Sequence, residues 1–213
     1  MAKSFDLIVL DHPHVGLIAE SGCLHPMVMP DDSADRSLDH SLESYVWKGQ
    51  IWVMPVDAAC QMAVERIDLG GATFGTWDEV LNAKADLAGT VTPLLPVDAF
   101  DLMMTLLATA GETKLPFSDY DFTSDENGLK ALHILKKLYL AGPSDAVKWN
   151  PIHVLEAMST TNDFRFSPAL FGYFNYAHPR FRDHVLSYVD LPRFAGGGPM
   201  RGILGGLRRV IWQ

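Results

Sequence analysis

Apolar residues fall into short blocks along this chain, and the spacing within each block predicts an element. Residues 5–10 (FDLIVL) form a continuous apolar run rich in branched side chains, ending at Asp11 and the turn His12-Pro13-His14. Such a run reads as a buried parallel strand that delivers a loop at its C-terminal end. Val15–Glu20 follows as a helical turn closed by Gly22, and residues 30–44 read as an acidic surface loop with at most one short helix. Lys48-Gly49 marks a tight turn feeding a strand that runs to Met54, and residues 61–67 alternate polar and apolar as a further strand.

Helix starts are well marked after that point. Thr76-Trp77-Asp78-Glu79 and Thr123-Ser124-Asp125-Glu126 both fit a capping box, in which a hydroxyl and a carboxylate three residues on satisfy the free amides of the first turn. Pro96-Val97-Asp98 opens a run that places Phe100, Met103, Met104 and Leu107 on one face, closed by Gly111. Asn150-Pro151 reads as an N-cap followed by proline at the first helical position. The Thr123 helix is expected to bury Leu129, Leu132, Leu135 and Leu138, to turn Lys130, Lys136 and Lys137 outward, and to stop at Gly142-Pro143. Short strands are expected at 164–166, 187–189 and 202–204. Strands alternating with helices, without internal repeats, argue for an α/β fold.

Composition narrows the class. With 213 residues, 48% hydrophobic and 20% charged, the chain is not disordered. It is long enough to bury about 70% of its unfolded surface. The longest stretch without a charged side chain, 166–179, contains two prolines and is short of the roughly 20 apolar residues a membrane span needs. Lysine plus arginine total 17 against 26 acids, a net charge of −9, which repels a phosphate backbone on average, so no nucleic-acid partner is expected. The one basic cluster, Arg201 with Arg208 and Arg209, sits at the C-terminus. Cys23 and Cys60 lack zinc or redox spacing and read as small buried hydrophobes, with one long-range disulfide as the alternative. The N-terminus enters the first strand with no signal peptide, so the chain as written is expected to stay in the cytoplasm.

Candidate chemistry begins at His12 and His14. An HxH pair after a buried strand can hold a catalytic metal in barrel hydrolases, but that site needs ligands from other strand ends, and the chain is shorter than the roughly 250 residues of such barrels. His25, His40, His133, His153, His178 and His184 all lie in expected loops or helices. The better reading is a polar ligand-binding loop at a strand end, with no metal and no cofactor. No GxSxG elbow occurs, Ser167 precedes a proline, and neither Gly196-Gly197-Gly198 nor Gly205-Gly206 fits a phosphate-binding pattern. Trp77 reads as a helix-packing residue. Trp47, Trp52, Asp57, Asn175 and Tyr176 together are the residue types of carbohydrate sites, where flat aromatic faces accompany side chains that hydrogen-bond hydroxyls.

The order of the segments resembles family 1 extracellular solute-binding proteins, the sugar-binding components of ABC transporters, including the maltose-binding type. DLIVLDHPHVG (6–16) followed by AESGCL (19–24) is similar to their first-lobe strand, and WVMPVDAACQMAVERIDL (52–69) to the crossover into the second lobe. TWDEV (76–80) matches a common helix start, and residues 96–107 resemble the first helix of the second lobe. FGYFNY (171–176) with Leu191-Pro192 and GILGG (202–206) resembles the return to the first lobe.

That resemblance implies two α/β lobes hinged around a ligand cleft. Residues 1–57 and 190–213 would form an incomplete first lobe, and 58–189 the second. It implies a non-catalytic binding protein for a sugar or polyol, or a truncated remnant of one, working with a membrane permease outside the cytoplasm. Asp11 and His12 would contact ligand hydroxyls, with Asp57 at the crossover. Asn175 and Tyr176 would answer from the second lobe, Tyr176 as a stacking face, and Gly205 would let backbone approach. The alternative is a metal-dependent hydrolase built on His12 and His14. Residues 207–213 do not resemble the family's continuation, so a truncation or frameshift near Gly206 is expected, leaving sheet edges open to self-association.

Overall fold

The computed structural model describes residues 8, 15–36, 41–55, 59–71, 74–83, 89–112, 123–197 and 200–203. The strand expected at 5–10 lies, apart from Ile8, outside the described residues. Those described fall into two compact units, one before residue 59 and one from 59 to 203.

In the first unit, α1 (Val15–Glu20) is followed by α2 (Ser33–Arg36), α3 (Ser41–Ser44) and a hairpin of β1 (Val46–Trp47) with β2 (Gln50–Ile51). The acidic stretch thus carries two short helices where one at most was expected. Lys48 and Gly49, with φ of 51° and 76°, make the two-residue turn whose twist matches the flanking strands. Helix α1 packs on this hairpin through Gly16, where an added Cβ would lie 3.0 Å from the Trp47 ring.

The second unit is built on an antiparallel sheet in which β3 (Gln61–Glu65) lies between β4 (Phe166–Phe171) and β5 (Ser187–Val189). Its helices are α4 (Trp77–Asn82), α5 (Pro96–Thr109), α6 (Asp125–Ala141) and α7 (Pro151–Thr160). Val64, Val91, Val154, Leu155, Met158 and Leu170 form a core that also takes in Tyr176 and Leu186. Trp77 is buried against this unit's interior, as a packing residue should be. Beyond β5 the chain stays with this unit: Trp77 N–H donates to the Arg193 carbonyl at 2.9 Å, and Ile203 N–H to Thr105 Oγ1 at 3.2 Å. Residues 202 and 203 form no strand; the Thr105 hydroxyl takes the hydrogen bond that a neighbouring strand would otherwise supply.

Helix starts follow the sequence closely. Thr76 and Glu79 close a reciprocal capping box at α4, and Asn150 caps α7 by accepting from His153 N–H at 3.0 Å. At α6 the cap moves one residue on: Ser124 Oγ accepts from Asn127 N–H. The carboxylate expected from Glu126 is supplied instead by Glu112, whose Oε1 accepts from Ser124 N–H at 3.0 Å and from Thr123 Oγ1 at 3.1 Å.

The buried faces differ from expectation. Leu138 is buried on α6 as expected, but Leu129 and Leu132 are exposed, and Ala131 and Ile134 are buried in their place. A row of residues three apart turns by about 60° per step relative to the helix axis, so positions nine apart face opposite ways. On α5, Phe100 is exposed while Leu102, Thr105 and Leu106 join Met104 and Leu107 in the interior. Cys23 and Cys60 are exposed free thiols, not buried hydrophobes.

One polar cluster ties the sheet to α7. Arg66, fully buried just after β3, donates through Nε and one terminal nitrogen to the Asp68 carboxylate at 2.7 and 2.8 Å. Its remaining donors meet the Met158 and Thr161 carbonyls and Asn162 Oδ1. The guanidinium thereby satisfies carbonyls left open at the C-terminal end of α7. Its hydrogen bonds hold the Asp68 carboxyl below the usual carboxylate range.

Candidate functional site

The chain leaves β4 at Gly172, makes a short 3-10 helix over Phe174–Ala177, turns at 178–181 and returns to β5. This excursion is fixed at many points. The Tyr188 hydroxyl donates to the Tyr173 carbonyl at 2.6 Å and accepts from Tyr173 N–H at 3.1 Å. Gly172 makes that approach possible, because a Cβ there would lie 2.8 Å from the Tyr188 ring. Leu186 N–H donates to the Tyr176 carbonyl at 3.0 Å, and His184 N–H to the Ser159 carbonyl at 3.0 Å. His184 Nδ1 also stands 3.3 Å from Asp68, so the loop's far end rests on the Arg66 cluster.

Tyr176 anchors the loop from inside. Its ring is 5% exposed and meets Phe181 edge-on with centroids 5.1 Å apart, and its hydroxyl donates to Glu156 Oε1 at 2.6 Å. Arg182 grips the same carboxylate, with Nε 2.9 Å from both oxygens, and its guanidinium lies 4.3 Å from the Phe181 ring centre. Burial, reinforced by the bond to Glu156, pushes the Tyr176 phenol up to about 12. The Arg182 hydrogen bonds, with that from Tyr176, hold the Glu156 carboxyl below its ordinary value.

On this base sits an open pocket of about 380 Å³ lined by Phe174, Asn175, His178, Arg180 and Phe181. Phe174 is 83% exposed at its edge. The lining combines apolar rings with an amide, an imidazole and a guanidinium, which can stack on a flat ligand face and hydrogen-bond hydroxyls. Its lining holds no carboxylate, thiol or hydroxyl.

Of the residues singled out in the sequence, Asn175 lies in this pocket. Tyr176 does not present a stacking face: its ring is buried beneath the loop, and the exposed ring two positions earlier belongs to Phe174. Asp11, His12, His14, Asp57 and Gly205 lie outside the described residues. Trp47 and Trp52 are half-buried in the first unit, where Trp52 Nε1 donates to the Trp47 carbonyl at 3.0 Å. Among the described residues, no group of three or more His, Cys, Asp or Glu side chains could hold a metal. No helix among them is long and apolar enough to cross a membrane. Sequence reasoning missed Phe174, His178 and Arg180; the signal available for them was an aromatic pair at a strand's end followed by a proline turn.

No family model matches the sequence. Among solved structures, an ABC transporter solute-binding protein from Agrobacterium radiobacter K84 in complex with ribitol is similar with a TM-score of 0.70 and 19% identity, over 96% of this chain and 56% of its own. The maltose-bound MalE3 of T. maritima gives 0.69 and 17%, over 92% and 54%. The chain therefore has a periplasmic-binding-protein-like α/β fold, and it spans about half the length of these structures.

Proposed function

We propose that this chain is a non-catalytic binding protein for a carbohydrate or polyol, serving ABC-type uptake outside the cytoplasm with a membrane permease as partner. The observation that carries the reading is Phe174, a large aromatic ring 83% exposed on a loop whose backbone is held from both sides. What sets this ring apart from other exposed apolar side chains is that it lines one pocket with Asn175, His178 and Arg180, where a flat sugar face could cover it. Asn175 and His178 beside it supply hydrogen bonds to hydroxyls. The fold likeness to proteins solved with ribitol and maltose supports the same ligand class. The finer resemblance to solute-binding family 1 belongs to this proposal. So do the two-lobe division of the chain and the roles of Asp11, His12, Asp57 and Gly205. Nothing among the described residues favours the metal-dependent hydrolase.

Thermal melts with and without a panel of mono- and oligosaccharides and polyols test this directly. A ligand present at about 100 times its dissociation constant adds about 2.7 kcal/mol, a shift of several degrees. The reading predicts such a shift for at least one neutral or acidic sugar or polyol, lost in Phe174→Ala. A cooperative melt that no member of the panel moves overturns it.

A further inference from the structure

We infer that the ligand of the Phe174 pocket carries an anionic oxygen group, a carboxylate or a phosphate on a sugar or polyol frame, and that Arg180 receives it; the inference rests on the carbohydrate reading above. Two arginines project from this loop, and they differ in what they already hold. Arg182 is bound by Glu156 through both carboxylate oxygens. Arg180 has no hydrogen bond or ion pair among the described residues, although it lines the pocket with Phe174, Asn175, His178 and Phe181. A pocket for neutral hydroxyls needs amides, imidazoles and aromatic faces. A free guanidinium adds a planar fork of donors, whose natural complement is a carboxylate or phosphate held through paired hydrogen bonds.

The backbone shows that Arg180 is not there for the turn. Phe181 N–H donates to the His178 carbonyl at 3.2 Å, closing a four-residue turn with Pro179 second and Arg180 third. Arg180 has a φ of 79°, the left-handed value that a type II turn requires at its third position and that glycine fills without strain. Lys48, the other described non-glycine residue at positive φ, sits in the hairpin turn. The chain thus keeps a long cationic side chain at a pocket-lining position where the turn favours glycine.

The charge of the whole chain works the other way at long range. At a net charge of −9, the long-range field repels anions. An acidic ligand must be held by local contacts in this pocket, where Glu156 is already engaged by Arg182 and Tyr176.

The test compares matched pairs by titration calorimetry: glucose with glucuronate, galactose with galacturonate, and ribitol with ribonate. Glucose 6-phosphate separates phosphate from carboxylate as the group received. The wild-type chain is expected to bind one acidic member at least about tenfold more tightly than its neutral partner. Arg180→Gly should abolish that preference while melting at the same temperature as wild type or higher, because it relieves the turn. Arg180→Lys should keep part of the preference, and added salt should weaken it. Neutral partners binding as tightly as the acids, with Arg180→Gly leaving the ratio unchanged, overturn the inference and leave the carbohydrate reading standing. Sulfate or acetate alone reproducing the response also overturns it, since the pocket would then take ions without a sugar frame. Binding of neither member of any pair overturns both readings.

Discussion

The Tyr188 hydroxyl clasps Tyr173 by both backbone polar groups, accepting from its N–H at 3.1 Å and donating to its carbonyl at 2.6 Å. A side chain here does what a neighbouring strand would do, and Phe174 follows directly. Tyr188→Phe is expected to cost about 1–2 kcal/mol of stability and to weaken sugar binding, while the sheet stays intact. Gly172→Ala should act in the same direction by pushing the Tyr188 ring away. Melting temperature and ligand titration of both variants check this; unchanged binding would separate the clasp from the site.

Arg66 has all its donors satisfied inside the protein, so its removal leaves unpaired carbonyls and a stranded Asp68. Arg66→Leu is expected to destabilise by about 3 kcal/mol or more, and Arg66→Lys should not rescue it, because an ammonium cannot reproduce the fork. Asp68→Asn should cost less, since that carboxylate is half-exposed. Denaturant unfolding of the three variants gives the order directly.

The register of α6 predicts opposite outcomes for neighbouring aliphatic positions. Leu129→Ser should change stability by no more than about 0.5 kcal/mol. Ile134→Ala should cost about 2–4 kcal/mol. Equal effects at the two positions would contradict the buried face assigned to this helix.

Asp98 and Asp101 stand one turn apart near the start of α5, and burial pushes each carboxyl up to about 6, with Asp98 adding to the effect at Asp101. Both are therefore less costly to the fold when protonated. Below the ordinary value of 3.8 folded and unfolded chains both hold the protons. As pH rises from there to about 6, the folded state gives up stability, and above 6 the loss is complete. Asp98→Asn and Asp101→Asn should each raise stability at pH 7.5 by about 1–3 kcal/mol, with the gain vanishing below pH 4. Glu156 runs the other way. Its carboxyl is held below 4.5, so its contribution is present above that pH and lost as pH falls through the folded value. Melting temperature against pH for the three sites distinguishes these signs.

Much of the fold was legible because local chemistry dictated it. The Thr76–Glu79 box, the Asn150-Pro151 start and the Lys48-Gly49 turn each depend on residues within four positions, and the structure has them where the sequence places them. What failed to show depended on distant chain. Glu112 reaches across to cap α6, so the Thr123 motif misplaced the cap by one residue. A row of four leucines looked like a buried face until the helix's rotation per step was taken into account. At the site, the aromatic and amide cluster after β4 identified the right segment. Which ring would be buried was set by Glu156, twenty residues earlier in the chain, and no local pattern reveals that Tyr176 points inward while Phe174 points out. Arg180 was hidden for a similar reason, since its left-handed backbone becomes visible only once the turn is closed.

The central claim is that a sugar or polyol is bound at the Phe174 pocket. Amide chemical shifts recorded during titration with ribitol, maltose and glucuronate test it most directly. The account predicts saturable shifts with at least one of the three, concentrated at Phe174, Asn175, His178 and Arg180 and absent in Phe174→Ala. Saturable shifts confined to other segments, or none with any of the three, would contradict it.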